Sequence, residues 1–216
     1  MSSSLGPIAP IRLSGQEALR RGGQPLSVSV LQFWQWACSD FVTNTFRGWF
    51  AEFIVASDLG ITDTTRTDWE GWDLRTSDGV KIEVKASGYI QSWAQKRLST
   101  PSFSIKKARA WDSATDTMSD DVARHSDVYV FCLHKHQDQA TLDPLDMAQW
   151  TFFVVSTGQI DAQLGDQQSV TLQALAALGA TETEYGRIGQ VIGEAMTQSD
   201  AGAGPPRVPD ASSSSG

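Results

Sequence analysis

Residues 70–93 read EGWDLRTSDGVKIEVKASGYIQSW. Two runs of alternating apolar and polar residues flank Ser77-Asp78-Gly79. A glycine in the third place of a three-residue loop fits a type I turn closed by a left-handed residue. With that loop Thr76 faces Val80, Arg75 faces Lys81, Leu74 faces Ile82 and Asp73 faces Glu83. Side chains alternate between faces along a strand. Trp72, Leu74, Val80, Ile82 and Val84 are therefore expected on the core face, and Asp73, Arg75, Lys81, Glu83 and Lys85 on the other. Asp73 and Glu83 become cross-strand neighbours with Cβ atoms about 5 Å apart. A two-residue loop would separate them.

Facing carboxylates repel unless a cation or a proton lies between them. Mg²⁺ takes oxygen ligands at about 2.1 Å, often one or two carboxylates, and keeps waters and phosphate oxygens as its other ligands. Lys85 points to the same side, where an ammonium can orient or help deprotonate a metal-bound water, or hold a phosphate as charge builds. From the hairpin alone, the same charges also fit an ordinary solvated outer face, and Arg75 opposite Lys81 is a like-charge pair without evident purpose.

Glu52 bears on that choice. It lies in a helix expected to run from a cap at Asn44 or Thr45 to a stop before Gly60, apolar nearly all round (Phe46, Trp49, Phe50, Phe53, Ile54, Val55, Ala56, Leu59) and so largely buried. Its helical neighbours Gly48, Trp49, Val55 and Ala56 offer no cation. A buried carboxylate costs several kcal/mol unless it is paired or bound to metal, so Lys85, a metal or Arg47 must satisfy it, unless that face is exposed.

Around this centre the spacing predicts a first helix capped by Ser27 or Ser29, with Phe33, Trp36, Ala37 and Phe41 on one face. Buried strands are expected at 127–136 and 149–157. A short helix should cover 171–179, capped by Thr171 and stopped by Gly179. A last helix over 181–196 would start from a Thr181/Glu184 capping box and carry Tyr185, Ile188, Ile192 and Ala195 as its stripe. The Ser-, Gly- and Pro-rich ends, 1–25 and 198–216, read as disordered tails around one domain at 26–197. The fold class is α/β, a mixed central sheet flanked by helices.

The 216 residues carry a net charge of −8, which argues against a general nucleic-acid binder. The charge is uneven. Lys81–Trp111 holds seven basic residues against Glu83, a net +6 that leaves −14 elsewhere. Screening confines charge effects to about 8–10 Å, so such a zone can still hold phosphates. No run of apolar residues is long enough for a membrane span. Two cysteines make no disulfide framework, and a reducing, cytoplasmic setting is expected. Cys132, His134 and His136 alternate on one strand, but no further ligand completes a zinc set. Trp93 lies near the basic zone and can stack on a base or pack in the core.

Together, RGWFAE with Glu52, WDL with Asp73 and IEVK with Glu83 and Lys85 resemble the PD-(D/E)XK nuclease superfamily over roughly residues 28–160. Trp72 stands where that signature names proline. The resemblance implies a restriction-endonuclease-like fold and Mg²⁺- or Mn²⁺-dependent hydrolysis of DNA, in a restriction, repair or defence role. Asp73 and Glu83 would bind the metal, Lys85 would assist the water, and Glu52 would orient the site or help hold a second ion. Gln91, Lys96, Arg97, Lys106, Lys107 and Arg109 are the expected substrate contacts, with Ser87 as a further polar neighbour. A homodimer or a partner subunit is compatible with this reading. The alternative is a catalytically silent nuclease fold that binds a nucleic-acid or protein partner.

Overall fold

The computed structural model describes residues 6–68, 70–112 and 115–202. In chain order the elements are β1 (Ala18–Arg21), β2 (Gln24–Ser29), α1 (Val30–Cys38), α2 (Asn44–Asp58), β3 (Leu74–Arg75), β4 (Lys81–Gly88), β5 (Ser102–Ser104), β6 (Ala108–Asp112), β7 (Thr117–Ala123), β8 (Val128–His134), β9 (Trp150–Ser156), α3 (Thr157–Leu164), β10 (Ser169–Thr171), α4 (Leu172–Ala177), β11 (Thr181–Thr183) and α5 (Ile188–Gly202).

A five-stranded sheet in the order β11-β9-β8-β4-β3 organises the domain. Only β4 and β8 run parallel; the other neighbours are antiparallel. Parallel neighbours cannot be joined by a tight turn. The chain therefore leaves the sheet after Gly88, builds β5 and the β6–β7 hairpin, and re-enters at Val128. β8 is buried along its whole length, as the apolar run VYVFCL ahead of His134 demands of a strand covered on both faces.

Each face carries its own core. On one, Ile82, Val84, Val128, Val130, Phe152 and Val154 pack with Ala51, Ile54 and Val55 of α2 and Ile188, Val191 and Ile192 of α5. On the other, Tyr129, Phe131, Leu133 and Val155 pack with Phe103 and Ile105, Ile160 of α3 and Leu175 of α4. The buried Arg124 ties this second layer together. Its guanidinium donates to the carbonyls of Ile105, Gly165 and Gln167 at 2.8–3.0 Å and pairs with Asp161.

The hairpin register matches the expectation from Gly79. Leu74 pairs with Ile82 and Arg75 with Lys81. The Thr76 amide donates to the Val80 carbonyl and the Gly79 amide to the Thr76 carbonyl, each at 3.0 Å. Gly79 sits at φ +96°. Ser29 caps α1 through a reciprocal box with Gln32, and Thr171 caps α4.

Other expectations need correction. Residues 18–29 form a hairpin, although composition read the part up to residue 25 as a tail: Gly22 and Gly23, at φ +58° and +83°, make the two-residue turn that lets Arg21 pair with Gln24. The expected C-terminal tail lies outside the described residues beyond Gly202, and α5 runs up to that point. The segment TETEY does not begin a helix. Thr181–Thr183 extends along β9 as an edge strand, Gly186 at φ +92° breaks the chain, and α5 starts at Ile188. α2 begins after Thr43 with no side-chain cap, and its Trp49 and Phe53 are exposed. α1 buries none of its residues, so Phe33 and Trp36 face outward. Trp72 leaves the core face and lies under the Lys81 ammonium, 4.3 Å from its ring centroid. Among the described residues no helix is long and apolar enough to cross a membrane.

Gly79 tests the register. A Cβ there has room, its nearest contact being Arg75 Nη2 at 3.7 Å, so only backbone strain opposes substitution. Gly79→Ala should cost about 1–2 kcal/mol, read by chemical denaturation, and Gly79→Asn distinctly less.

Candidate active site

The sheet ends at a strand of two residues, and there the charged groups collect. The Asp73 carboxylate takes over a ladder position just beyond β3: Val84 N donates to its Oδ2 at 2.8 Å. Glu83 and Lys85 project from β4 on the side away from Ile82 and Val84. The Lys85 ammonium bonds Glu83 Oε1 and lies 3.8 Å from Asp73 Oδ2. The three groups expected to share a face do so, with a cation set between the two carboxylates.

That face is not the open outer face of a free hairpin. Glu83 is in register with Tyr129 and Lys85 with Phe131, both members of the second core layer. The Glu83 and Lys85 side chains are only 20% and 29% exposed. Burial first, and Asp73 second, push the Glu83 carboxyl above its ordinary 4.5, against the pull of Lys85. Burial alone would lower Lys85, but Asp73 and Glu83 outweigh it and hold the amine as an ammonium above its ordinary 10.5.

Glu52 reaches the same edge from α2. It is buried at 8% exposure, and its carboxyl is raised above 4.5, by burial first, with the Arg66 hydrogen bond opposing and Asp73 adding to the rise. The cation it requires is Arg66, which sequence reasoning missed. Arg66 Nε and Nη2 donate to the two Glu52 oxygens at 2.5 and 3.1 Å. The same guanidinium pairs with Asp68 and lies 5.2 Å from the Trp49 ring centroid. No periodicity could have found it, because it comes from a loop after the helix.

Arg47, the other cation considered for Glu52, is committed elsewhere. It is buried and donates to Val42 O at 2.5 Å, Ile90 O at 2.8 Å and Gln91 Oε1 at 3.2 Å. Gln91 in turn donates to Gly88 O at 2.9 Å. Its amide is thus buried in a brace between α2 and the end of β4, not presented to solvent as a substrate contact requires.

Two hollows meet at Asp73. One, of about 510 Å³, is lined by Trp49, Glu52, Phe53, loop residues 61–67 and Asp73. The other, of about 410 Å³, is lined by Asp73, Glu83, Arg109, Trp111, Met118 and His125. Arg109 thus joins the site by way of the β6–β7 hairpin. Lys96 and Arg97, with Trp93, line a separate hollow in the loop after β4. Lys106 is exposed, and Lys107 donates to Asp166 at 2.8 Å. Ser87 Oγ accepts from Ser102 N at 3.3 Å.

Cys132, His134 and His136 do not converge. Cys132 is enclosed in the first core layer, His134 stacks on Trp150, and His136 meets Thr141 Oγ1 at 2.7 Å. Among the described residues no three His, Cys, Asp or Glu side chains are grouped closely enough to hold a metal by themselves. Two carboxylates can still serve a hard cation that keeps most of its waters. Asp73 and Glu83 offer oxygen donors only and already share one cation, a donor set that suits Mg²⁺ or Mn²⁺.

The raised Glu83 carboxyl has a measurable consequence. A carboxyl with a raised folded-state pKa is ionised at a cost to stability, a cost that sets in as pH rises above 4.5. In metal-free buffer, Glu83→Gln should therefore melt above wild type at about pH 8, and the difference should close at about pH 4. Thermal melts across pH decide this.

No curated protein matches the chain. A family model does: residues 32–174, about two-thirds of the chain, match the family described as bacteriophage T4 endonuclease IV. The match spans Glu52, Arg66, Asp73, Glu83 and Lys85 and leaves out the β1–β2 hairpin and α5. The match covers more than half of the chain, and the chain belongs to the bacteriophage T4 endonuclease IV family.

Proposed function

We propose that this protein hydrolyses DNA phosphodiester bonds with Mg²⁺ or Mn²⁺ as cofactor, in a site of the PD-(D/E)XK type on a restriction-endonuclease-like sheet. The observation that carries the reading is the Lys85 ammonium set between Asp73 and Glu83 on a half-buried face. Membership of an endonuclease family supports it.

Asp73 and Glu83 would hold the ion, with Glu52 reinforcing the negative field from the α2 side. When bound, the metal lowers the pKa of a coordinated water and stabilises charge on the phosphoryl group. The chain's own groups do the rest. Val84 N fixes the Asp73 carboxylate through Oδ2. The second core layer keeps Glu83 and Lys85 short of water, so their fields act on a phosphate with little screening. Lys85 supplies an ammonium that can donate to the attacking water or to a phosphate oxygen as charge develops. Arg109 brings a cation to the same hollow from the β6–β7 hairpin. Among the described residues there is one such centre, so a nick is the expected primary product.

Plasmid nicking and oligonucleotide cutting with Mg²⁺ or Mn²⁺ test the proposal. Lys85→Ala should lower the cutting rate by about 10²–10³-fold while metal binding in calorimetry is retained or tightened. Asp73→Asn should lose both. Absence of metal-dependent cutting on linear, supercoiled, branched and single-stranded DNA would overturn the catalytic reading and leave a nuclease-fold binding protein.

A further inference from the structure

The 510 Å³ hollow has one wall, loop 61–67, that the reading above does not use. Arg66 stands on it. Its side chain is 34% exposed, and its guanidinium touches Glu52, Asp68 and the Trp49 ring at once. We propose that Arg66 binds a nucleic-acid phosphate next to the scissile bond, exchanging the Glu52 carboxylate for that phosphate when DNA arrives. The inference rests on the reading of Asp73, Glu83 and Lys85 as the catalytic centre.

A guanidinium presents a planar fork of donors that fits a carboxylate and a phosphate equally, two bonds to two oxygens. Here both Glu52 oxygens occupy that fork. Trp49 supports the cation through its ring face whichever oxyanion it meets. Glu52 and Asp73 line the same hollow, so a backbone lying along it passes both Arg66 and the catalytic edge. Thr62, Thr65 and Thr67 belong to the same loop and add hydroxyls to its wall.

The exchange also couples two events. As Arg66 moves to phosphate, both Glu52 oxygens are released toward the metal edge. By linkage, DNA and divalent cation must then each tighten the binding of the other. A residue that merely neutralised Glu52 would give no such coupling and would not touch DNA.

The test uses fluorescence anisotropy of labelled single-stranded and duplex oligonucleotides in Ca²⁺, for wild type, Arg66→Ala and Arg66→Lys, and for the same changes in a Glu52→Gln background. Arg66→Ala should weaken DNA binding at least ~5-fold in both backgrounds and reduce the salt slope by about one. Arg66→Lys should recover part of the affinity and serves where the alanine variant folds poorly by thermal melt. Calorimetry without DNA should show Mn²⁺ binding more tightly to Arg66→Ala than to wild type, with the DNA-induced gain in Mn²⁺ affinity lost. DNA affinity and salt slope unchanged within about twofold in the Glu52→Gln background would overturn the proposal, leaving Arg66 as a structural partner of Glu52. Because these measurements need no cutting, a wild type that fails to cleave would defeat the catalytic reading without deciding the role of Arg66.

Discussion

The arrangement everything else depends on is a balance of charge at the short end of a sheet. Glu52, Asp73 and Glu83 bring three acids partly out of water, and Lys85 and Arg66 bring two cations. Charges in such a place repel or attract strongly, and none is tolerated alone. Lys85 keeps Asp73 and Glu83 together, and Arg66 keeps Glu52 in an otherwise apolar helix face. The acids nonetheless outnumber their immediate cations, and that residual negative field is what an incoming divalent ion would meet.

The sheet makes this balance possible because its two faces differ in their cover. α2 and α5 close one face, and α3, α4, β5 and β10 close the other. At the β3 edge there are only two strand residues to separate the faces, so groups from α2 and from the far side of β4 come within electrostatic reach. The Arg47–Gln91 brace fixes the opposite end of β4 to the start of α2. β4 is thereby held at both ends, by the Gly79 turn and by this brace, and the spacing between Glu52 and Lys85 follows from that.

How much was legible follows from where each piece of information resides. The register of Asp73 and Glu83 is a local property of alternation and one left-handed glycine, and both are written in adjacent residues. The anomaly of Glu52 is also local, because its helical neighbours are fixed by period. Arg66 was not legible: its partner lies fourteen residues away across a loop without periodicity. Gln91 read as an exposed polar residue because nothing nearby signals that Arg47 would fold over it. TETEY satisfied a helix-capping pattern, yet the open edge of β9 offered backbone partners that outweighed it. The β1–β2 hairpin did carry a signal, Gly-Gly between short extended runs, but the Ser- and Gly-rich composition obscured it.

The parallel pairing of β4 with β8 has one more consequence. Since the two strands run the same way, the polypeptide must make a return journey outside the sheet, and β5 and the β6–β7 hairpin are built along that route. Nothing in the spacing of β4 and β8 dictates how long the detour is or what it carries. The detour is therefore more than a connector: its Phe103 and Ile105 sit in the second core layer and its Arg109 lines the hollow shared with Asp73 and Glu83, so one return route both seals the sheet and walls its charged edge.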